Sequence, residues 1–473
     1  MNGLECSEIM LSNLERTTRI DAEFYAKNNL RVLDILSKYS LDKITDNYYV
    51  SDGNHMSVSD SFVDVGVPYY RGQDIYNVFI EDSSPICIDK KTYTLSTMMR
   101  SWLKKGDVLL SIVGAIIGNT AIVSSYKEAT CSCKLAILRA KTKNDNYYYL
   151  HSFIKSKYGQ NQIQKFRRGA AQTGLLLEDM DQIFIPNLGD KLKKYISDIY
   201  VNVYRLINSA KKCYSDAEQI LLKSLNMDNF VPSQKNTTTK LLSQFMNAGR
   251  LDAEYFQPKY DDIEEKIKFC SNRYVVLGEV AENIDTGEYA DDYIDKSAET
   301  VYYVRGTNMQ NGRIEKDYTH CVDKIYFTKI LEQGDIITTR VGSVGIFAEV
   351  TEDLAGAVFS DNIIRFKLPK EYIPSVYVLL LNSSVINELI MRYARGSVQQ
   401  RMNQETLKNI KLPIINIAIQ KDIEAKIDKS FELRAKSNEL LEAARKAVEI
   451  AIEEDEETAM QYLAQFECVG KEV

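Results

Sequence analysis

RIDAEFY, residues 19–25, returns as RLDAEYF at residues 250–256, 231 positions further on. The heptapeptide differs by one apolar exchange and a swap of two aromatics. Outward from it, further matches recur in the same order. VPYYRGQDI (67–75) resembles VYYVRGTNM (301–309), and GDVLLSIVGAIIGNTAIV (106–123) resembles GDIITTRVGSVGIFAEV (334–350). FRRGAAQTGLLLEDMDQIFIP (166–186) resembles YARGSVQQRMNQETLKNIKLP (393–413), at a constant offset of 227 from Gly169 and Gly396 to the closing prolines. The period is far too long for a solenoid. The chain is a duplicated half-protein.

Each half follows one grammar. A helical lead-in carries R-(I/L)-D-A-E, and a β-rich stretch with Gly-Asp turns and runs of Val, Ile, Thr and Tyr follows. Then come a short helical segment, an Arg-Gly loop, a strand ending in Ile-Pro or Leu-Pro, and a long helix. In the first long helix apolar or small residues fall at Ile196, Ile199, Val203, Leu206, Ala210, Cys213, Ala217 and Ile220, the alternating three-and-four spacing of a heptad seam. The second seam, through Ile427, Leu441, Ala444, Val448 and Ala451, is interrupted by Ser430, Arg434 and Ser437. With a globular domain between them, the two helices are expected to pair antiparallel. The fold class is α+β and duplicated. The expected layout is a first domain at 1–188, a helix at 189–230, a linker at 231–243, a second domain at 244–415, a helix at 416–458 and a tail at 459–473.

Bulk composition sets limits. At 473 residues, 45% hydrophobic and 26% charged, this is an ordinary globular composition and too long a chain for one core. The stretch 108–126 is uncharged, about a membrane span in length. Its glycines and β-branched residues, and the arginine in its counterpart, predict a buried strand pair instead. Scattered cysteines and no secretory leader predict a reduced, cytoplasmic protein without a membrane partner. Net charge is −7, but residues 448–473 alone hold eight acids and one lysine, so the first 447 residues are formally neutral. Phosphate binding needs only a local basic surface. The acidic tail is expected to lack fixed structure.

Catalytic chemistry is poorly represented. There is no phosphate loop or nucleophile elbow, and the three histidines sit apart without metal-ligand spacing to a cysteine. We expect no catalytic residue and no metal. The carboxylates of the repeated heptapeptide read as ion-paired braces at a helix or domain junction. Recognition chemistry is better represented. Arginine suits guanine, and glutamine or asparagine suits adenine. Arg71, Gln73, Arg305 and Asn308, beside the repeated Arg-Gly turns, are candidates for base contact or for structural turns. Arg167, Arg168, Gln172, Arg395, Gln399 and Gln400, in the two Arg-Gly loops, suit phosphate or base contact. Arg340, inside an apolar strand motif, needs either an acid or a ligand.

The ordered motifs, in both halves and from about residue 12 to 455, resemble the specificity subunit of type I restriction-modification systems. That resemblance implies two tandem target recognition domains reading a split, asymmetric double-stranded DNA target. It implies an antiparallel coiled coil that acts as a spacer and docks adenine methyltransferase subunits, two in number, with ATP-dependent restriction subunits beside them. Ile196, Ile199, Val203, Leu206, Ile220, Ile427, Leu441 and Val448 would pair the helices. S-adenosylmethionine and ATP would belong to the partners, with no cofactor in this chain. Two alternatives stand beside it: a specificity subunit for another methyltransferase or phage-defence complex, and a coiled-coil scaffold that never meets DNA. The first domain departs from the pattern: its SDGNHMSVSD stretch (51–60) has no equivalent in the second half.

Overall fold

The Gly-Asp pairs that mark each half open the most buried strand of its sheet. Gly106 and Gly334 turn the chain at φ of 89° and 83°, the left-handed region that glycine enters freely. The following aspartates, Asp107 and Asp335, are both buried, and each meets an arginine from the neighbouring strand. Arg139 grips Asp107 through Nε and Nη2, both at 2.7 Å; Arg365 Nη1 lies 3.7 Å from Asp335. A buried carboxylate requires such a partner, so this motif is a structural one.

The structure is a computed structural model describing residues 6–11, 19–143, 145–169, 173–270, 273–316, 320–393 and 401–466. In the first half the strands are β1 (Leu41–Lys43), β2 (Tyr48–Asp52), β3 (Phe62–Val63), β4 (Val67–Tyr70), β5 (Ile86–Ile88), β6 (Val108–Ser111), β7 (Thr120–Ile122), β8 (Thr130–Cys131), β9 (Leu135–Ala140) and β10 (Phe184–Pro186). They form an antiparallel sheet β2-β9-β6-β7, a mixed sheet β3-β5-β4-β8 and a ribbon β1-β10. The uncharged run at 108–126 thus holds two strands, β6 and β7, paired Val108 to Ile122.

The second half repeats this plan with β11 (Tyr274–Val276), β12 (Glu282–Thr286), β13 (Thr300–Val304), β14 (Met309–Gln310), β15 (Arg313–Ile314), β16 (Cys321–Asp323), β17 (Asp335–Thr339), β18 (Phe347–Glu349), β19 (Val358–Phe359), β20 (Ile363–Lys367) and β21 (Lys411–Pro413). Its sheets are β12-β20-β17-β18 and β16-β13-β19, with ribbons β11-β21 and β14-β15. The closing prolines are tied identically: Tyr149 Oη donates to Pro186 O at 2.6 Å and Tyr377 Oη to Pro413 O at 3.2 Å.

The opening motif is a brace in both halves. Arg19 forks onto Asp21 and donates to Lys165 O; Arg250 forks onto Asp252 and donates to Arg392 O. Lys165 and Arg392 lie at the carboxyl ends of helices Lys157–Lys165 and Ser384–Tyr393, where carbonyls lack partners within the helix. Each aspartate also accepts a backbone N–H, from Phe24 at 3.0 Å and from Tyr255 at 3.1 Å. These hydrogen bonds hold both carboxyls below the usual carboxylate range, with the arginine bond the largest cause.

Two long helices, Asp190–Ser224 and Ile417–Glu453, run for 35 and 37 residues. The chain divides into two compact units, Met1–Ile207 with Ala435–Val473, and Asn208–Arg434. The division passes through both helices and not, as the sequence layout has it, at their ends, because each helix segment packs within the unit it joins. In the first unit Gly189 N donates to Glu456 at 2.9 Å, and Tyr200 feels the charge of Glu442. In the second, Ser430 Oγ donates to Ala210 O at 2.7 Å, and Leu221 shares a core cluster with Ile423. Numbers rise along one helix as they fall along the other, so the pairing is antiparallel.

Ile196, Ile199, Val203, Leu206, Ile427 and Val448 are buried, but Ile220 and Leu441 are only partly so. Leu221 and Leu440 take the buried places, because a 3.6-residue turn drifts against a 3.5-residue repeat. Ser430 and Ser437 are not interruptions: both are buried, and Leu433 stands in the seam beside Arg434. The tail also differs from expectation. Glu456–Ala464 is a helix capped by Asp455, with Ala459 and Leu463 buried. Its acids suit a helix amino terminus.

Among the described residues no single helix is long and apolar enough to cross a membrane. The most apolar helical stretch, Pro374–Asn382 with Ser384–Tyr393, is bent by 73°, and Val376 to Leu381 are core residues.

Candidate nucleic-acid interface

Among the described residues each half has one parallel strand pair, and it collects its loops at one end. β4 and β8 run together, Tyr69 beside Thr130 and Tyr70 beside Cys131; β13 and β19 do likewise, Tyr303 beside Val358 and Val304 beside Phe359. Past their carboxyl ends the backbone is stitched into a rim. Ser132 N donates to Tyr70 O, Ile112 N to Lys134 O, and Leu175 N to Ile112 O. In the second half Ser360 N donates to Val304 O, Arg340 N to Asn362 O, and Met402 N to Arg340 O. Bond for bond, the two scaffolds agree. Gly53 and Gly287 enter both rims where nothing larger fits: a Cβ would stand 2.3 Å from Cys131 O and 2.1 Å from Phe359 O.

The side chains on this common scaffold differ. In the first half Arg71 opens a tight turn whose Asp74, buried, accepts from Arg71 N at 2.8 Å and from its Nε at 3.2 Å. In the second half Asn308 takes the place of Asp74 and accepts from Arg305 N at 2.9 Å. Asn308 is therefore a buried capping residue, only 6% exposed, which favours the structural turn over base contact of the two readings its sequence allowed. Gln73 is exposed at the turn, and the aligned repeats place Thr307, also exposed, opposite it, whereas the candidate named there was its neighbour Asn308. Arg305 donates to His320 Nδ1 at 3.2 Å and lies over the Tyr293 ring at 5.7 Å.

Arg340 stands where the first half has Ile112. It is half-buried and donates to Asp361 O at 3.3 Å; among the described residues this carbonyl, and no acid, is its hydrogen-bond partner, and the ligand alternative stays open. Arg167 is exposed, whereas Arg168 forms an ion pair with the buried Asp179. Burial raises the Asp179 carboxyl, and Arg168 opposes that rise. Gln172, Arg395, Gln399 and Gln400 lie outside the described residues. An open cleft of about 750 Å³ separates the first opening motif from the Arg-Gly loop, with Lys165, Arg167 and Arg168 in its wall.

A second group on the first rim also escaped sequence reasoning. Asp52, at the end of β2, holds both His55 and Arg100. The only sequence signal was the unmatched stretch around His55. Two of the chain's three histidines, His55 and His320, thus stand beside a rim arginine or share its carboxylate. The third, His151, is buried; burial depresses its imidazole to about 3, so it stays neutral while bonded to Tyr200.

Among the described residues no group of His, Cys, Asp and Glu could hold a metal ion. Cations, amides and aromatics on loops can contact phosphates and base edges.

Residues 273–443 match the type I restriction modification DNA specificity domain family. No curated protein matches the chain. Among solved structures, the type I restriction-modification system S subunit from M. genitalium is 12% identical, with TM-score 0.38, covering 90% of this chain and 96% of that one. The HsdS subunit from Thermoanaerobacter tengcongensis is 14% identical, with TM-score 0.30, covering 88% of this chain and 97% of that one.

Proposed function

We propose that this chain, which carries a type I restriction modification DNA specificity domain at 273–443 and resembles the specificity subunits of those systems, is the DNA-reading subunit of such a complex. Each rim reads one part of a split, asymmetric target in double-stranded DNA. The observation that carries this is the pair of rims: one backbone scaffold built twice, with different side chains on each. A duplicated scaffold with divergent polar loops suits a reader of two different half-sites. The chain supplies positioning and base selection. Methyl transfer from S-adenosylmethionine and ATP-driven cleavage would reside in modification and restriction subunits docked on the paired helices. A complex of this kind would work in the cytoplasm.

The test is binding of the assembled complex to specific and random duplexes across a salt series. The reading requires salt-dependent duplex binding with a sequence preference. A complex that shows neither would be a scaffold, and the proposal would fall. Arg167, exposed and without an acid partner among the described residues, is assigned to a phosphate. Arg167→Ala should lower the slope of log affinity against log salt by about 0.9 and leave base preference intact. An unchanged slope with an altered base preference would make Arg167 a base contact instead.

A further inference from the structure

We infer that Arg100, oriented by Asp52, reads a guanine in the half-site of the first domain. The inference rests on the DNA-reading role proposed above and names the residue that sets one base of the target.

Asp52 is 11% exposed by its side chain, and each of its oxygens takes a different partner: Arg100 Nη2 on Oδ1, and His55 Nε2 on Oδ2 at 2.6 Å. The two partners are 54% and 60% exposed. No other polar partner of either side chain occurs among the described residues. Exposed ion pairs add little to stability. What the carboxylate does is fix the guanidinium and imidazole where the fold does not otherwise use them.

The place is the rim. Gly53 N donates to Leu135 O, and Asn54 N to Cys131 O. Trp102, two residues beyond Arg100, bridges Thr130 in an antiparallel sense, and the hydroxyls of Ser101 and Thr130 lie 2.7 Å apart. Arg100 and Asp52 therefore flank the same 130–133 segment whose Ser132 N binds Tyr70 O just before the Arg71 turn. The equivalent place in the second half differs: Gly287 follows Thr286, Glu288 accepts from Thr328 N and Lys329 N, and Lys329 reaches Thr286 O. The scaffold is shared and the charge pattern is not, as two readers of different bases require.

The chemistry selects the base. Arginine carries five donors and no acceptor, and here one fork corner is anchored by the carboxylate. Guanine alone presents two acceptors, N7 and O6, to the major groove; adenine presents one acceptor beside an amino donor. A preoriented guanidinium matches the first edge and leaves a donor facing a donor on the second.

The test is selection of bound sequences from a randomised duplex pool by the assembled complex, with wild type, Arg100→Ala, Arg100→Lys and Asp52→Asn compared. Wild type should return a split motif. Arg100→Ala should flatten one guanine in one half-site, reducing discrimination there about ten- to a hundredfold, with the other half-site unchanged. Arg100→Lys keeps the charge and should keep most affinity while losing that discrimination. Asp52→Asn should weaken the preference at the same position and no other. A wild-type motif retained in full by Arg100→Ala would overturn the assignment of Arg100 alone. A wild-type complex with no sequence preference would overturn the DNA-reading role and this inference with it.

Discussion

Arg392→Ala should destabilise the second unit by about 3 kcal/mol, since breaking a buried ion pair strands its partner. Arg392 is 8% exposed and ties three elements together. Its Nη1 meets Glu264 at 2.7 Å, its Nε donates to Tyr255 O at 3.0 Å, and its guanidinium lies over the Tyr255 and Tyr260 rings. Its own main-chain carbonyl accepts from Arg250, a bond that alanine retains, so the loss reads the side chain alone. The figure sits at the low end for buried pairs because Lys411 still holds Glu264 at 2.6 Å. Chemical denaturation should show a lower midpoint with base preference in the first half-site unaltered. A loss under about 0.5 kcal/mol would contradict the buried-pair account, being the scale of ordinary surface substitutions. A pH series adds a sign. Burial raises the Glu264 carboxyl, but Lys411 and Arg392 outweigh it and leave the group below its ordinary 4.5. A carboxyl depressed by folding stabilises above its unfolded value, so this contribution is whole above about pH 4.5 and fades as pH falls through the lower folded value.

Removing one heptad from the first long helix between Ile196 and Ile220, together with seven facing residues of the second, should shorten the gap between half-sites by about three base pairs. Seven helical residues rise roughly 10.5 Å, against roughly 3.4 Å per base pair along one strand. A matched pair of deletions is needed because the helices pair antiparallel, Ala210 against Ser430. A whole heptad preserves which residues face the seam. Sequence selection by the shortened complex should return both half-sites unchanged at a new spacing. Unchanged spacing with altered half-site bases would contradict the spacer role.

The duplication was legible because its marks are local. Arg19 and Asp21 are two residues apart, Gly106 precedes Asp107, and such short motifs survive when loops diverge. The long helices were legible from periodicity, and their antiparallel pairing from the domain that separates them. What escaped was contact between distant residues. Arg100 and Asp52 are 48 positions apart, and nothing in either stretch marks the other. Asn308 stayed open between base contact and turn because an amide has the same chemistry whether it faces a base or caps a turn; only its burial decides. Ile220 was placed one step early because a strict heptad drifts against a real helix over the roughly seven turns from Ile196. The acidic tail was judged by charge, yet Ala459 and Leu463 supply the spacing of four that a short helix needs to bury one face.

The central claim is that two copies of one scaffold read two different stretches of DNA. Its most direct measurement is base-modification sequencing of DNA from a strain expressing this chain with its partner subunits, against the same strain lacking only this chain. The account predicts a split motif, asymmetric about a fixed gap, with N6-methyladenine on each strand, present only when this chain is expressed. A single contiguous motif, or modification indifferent to the chain's presence, would contradict it.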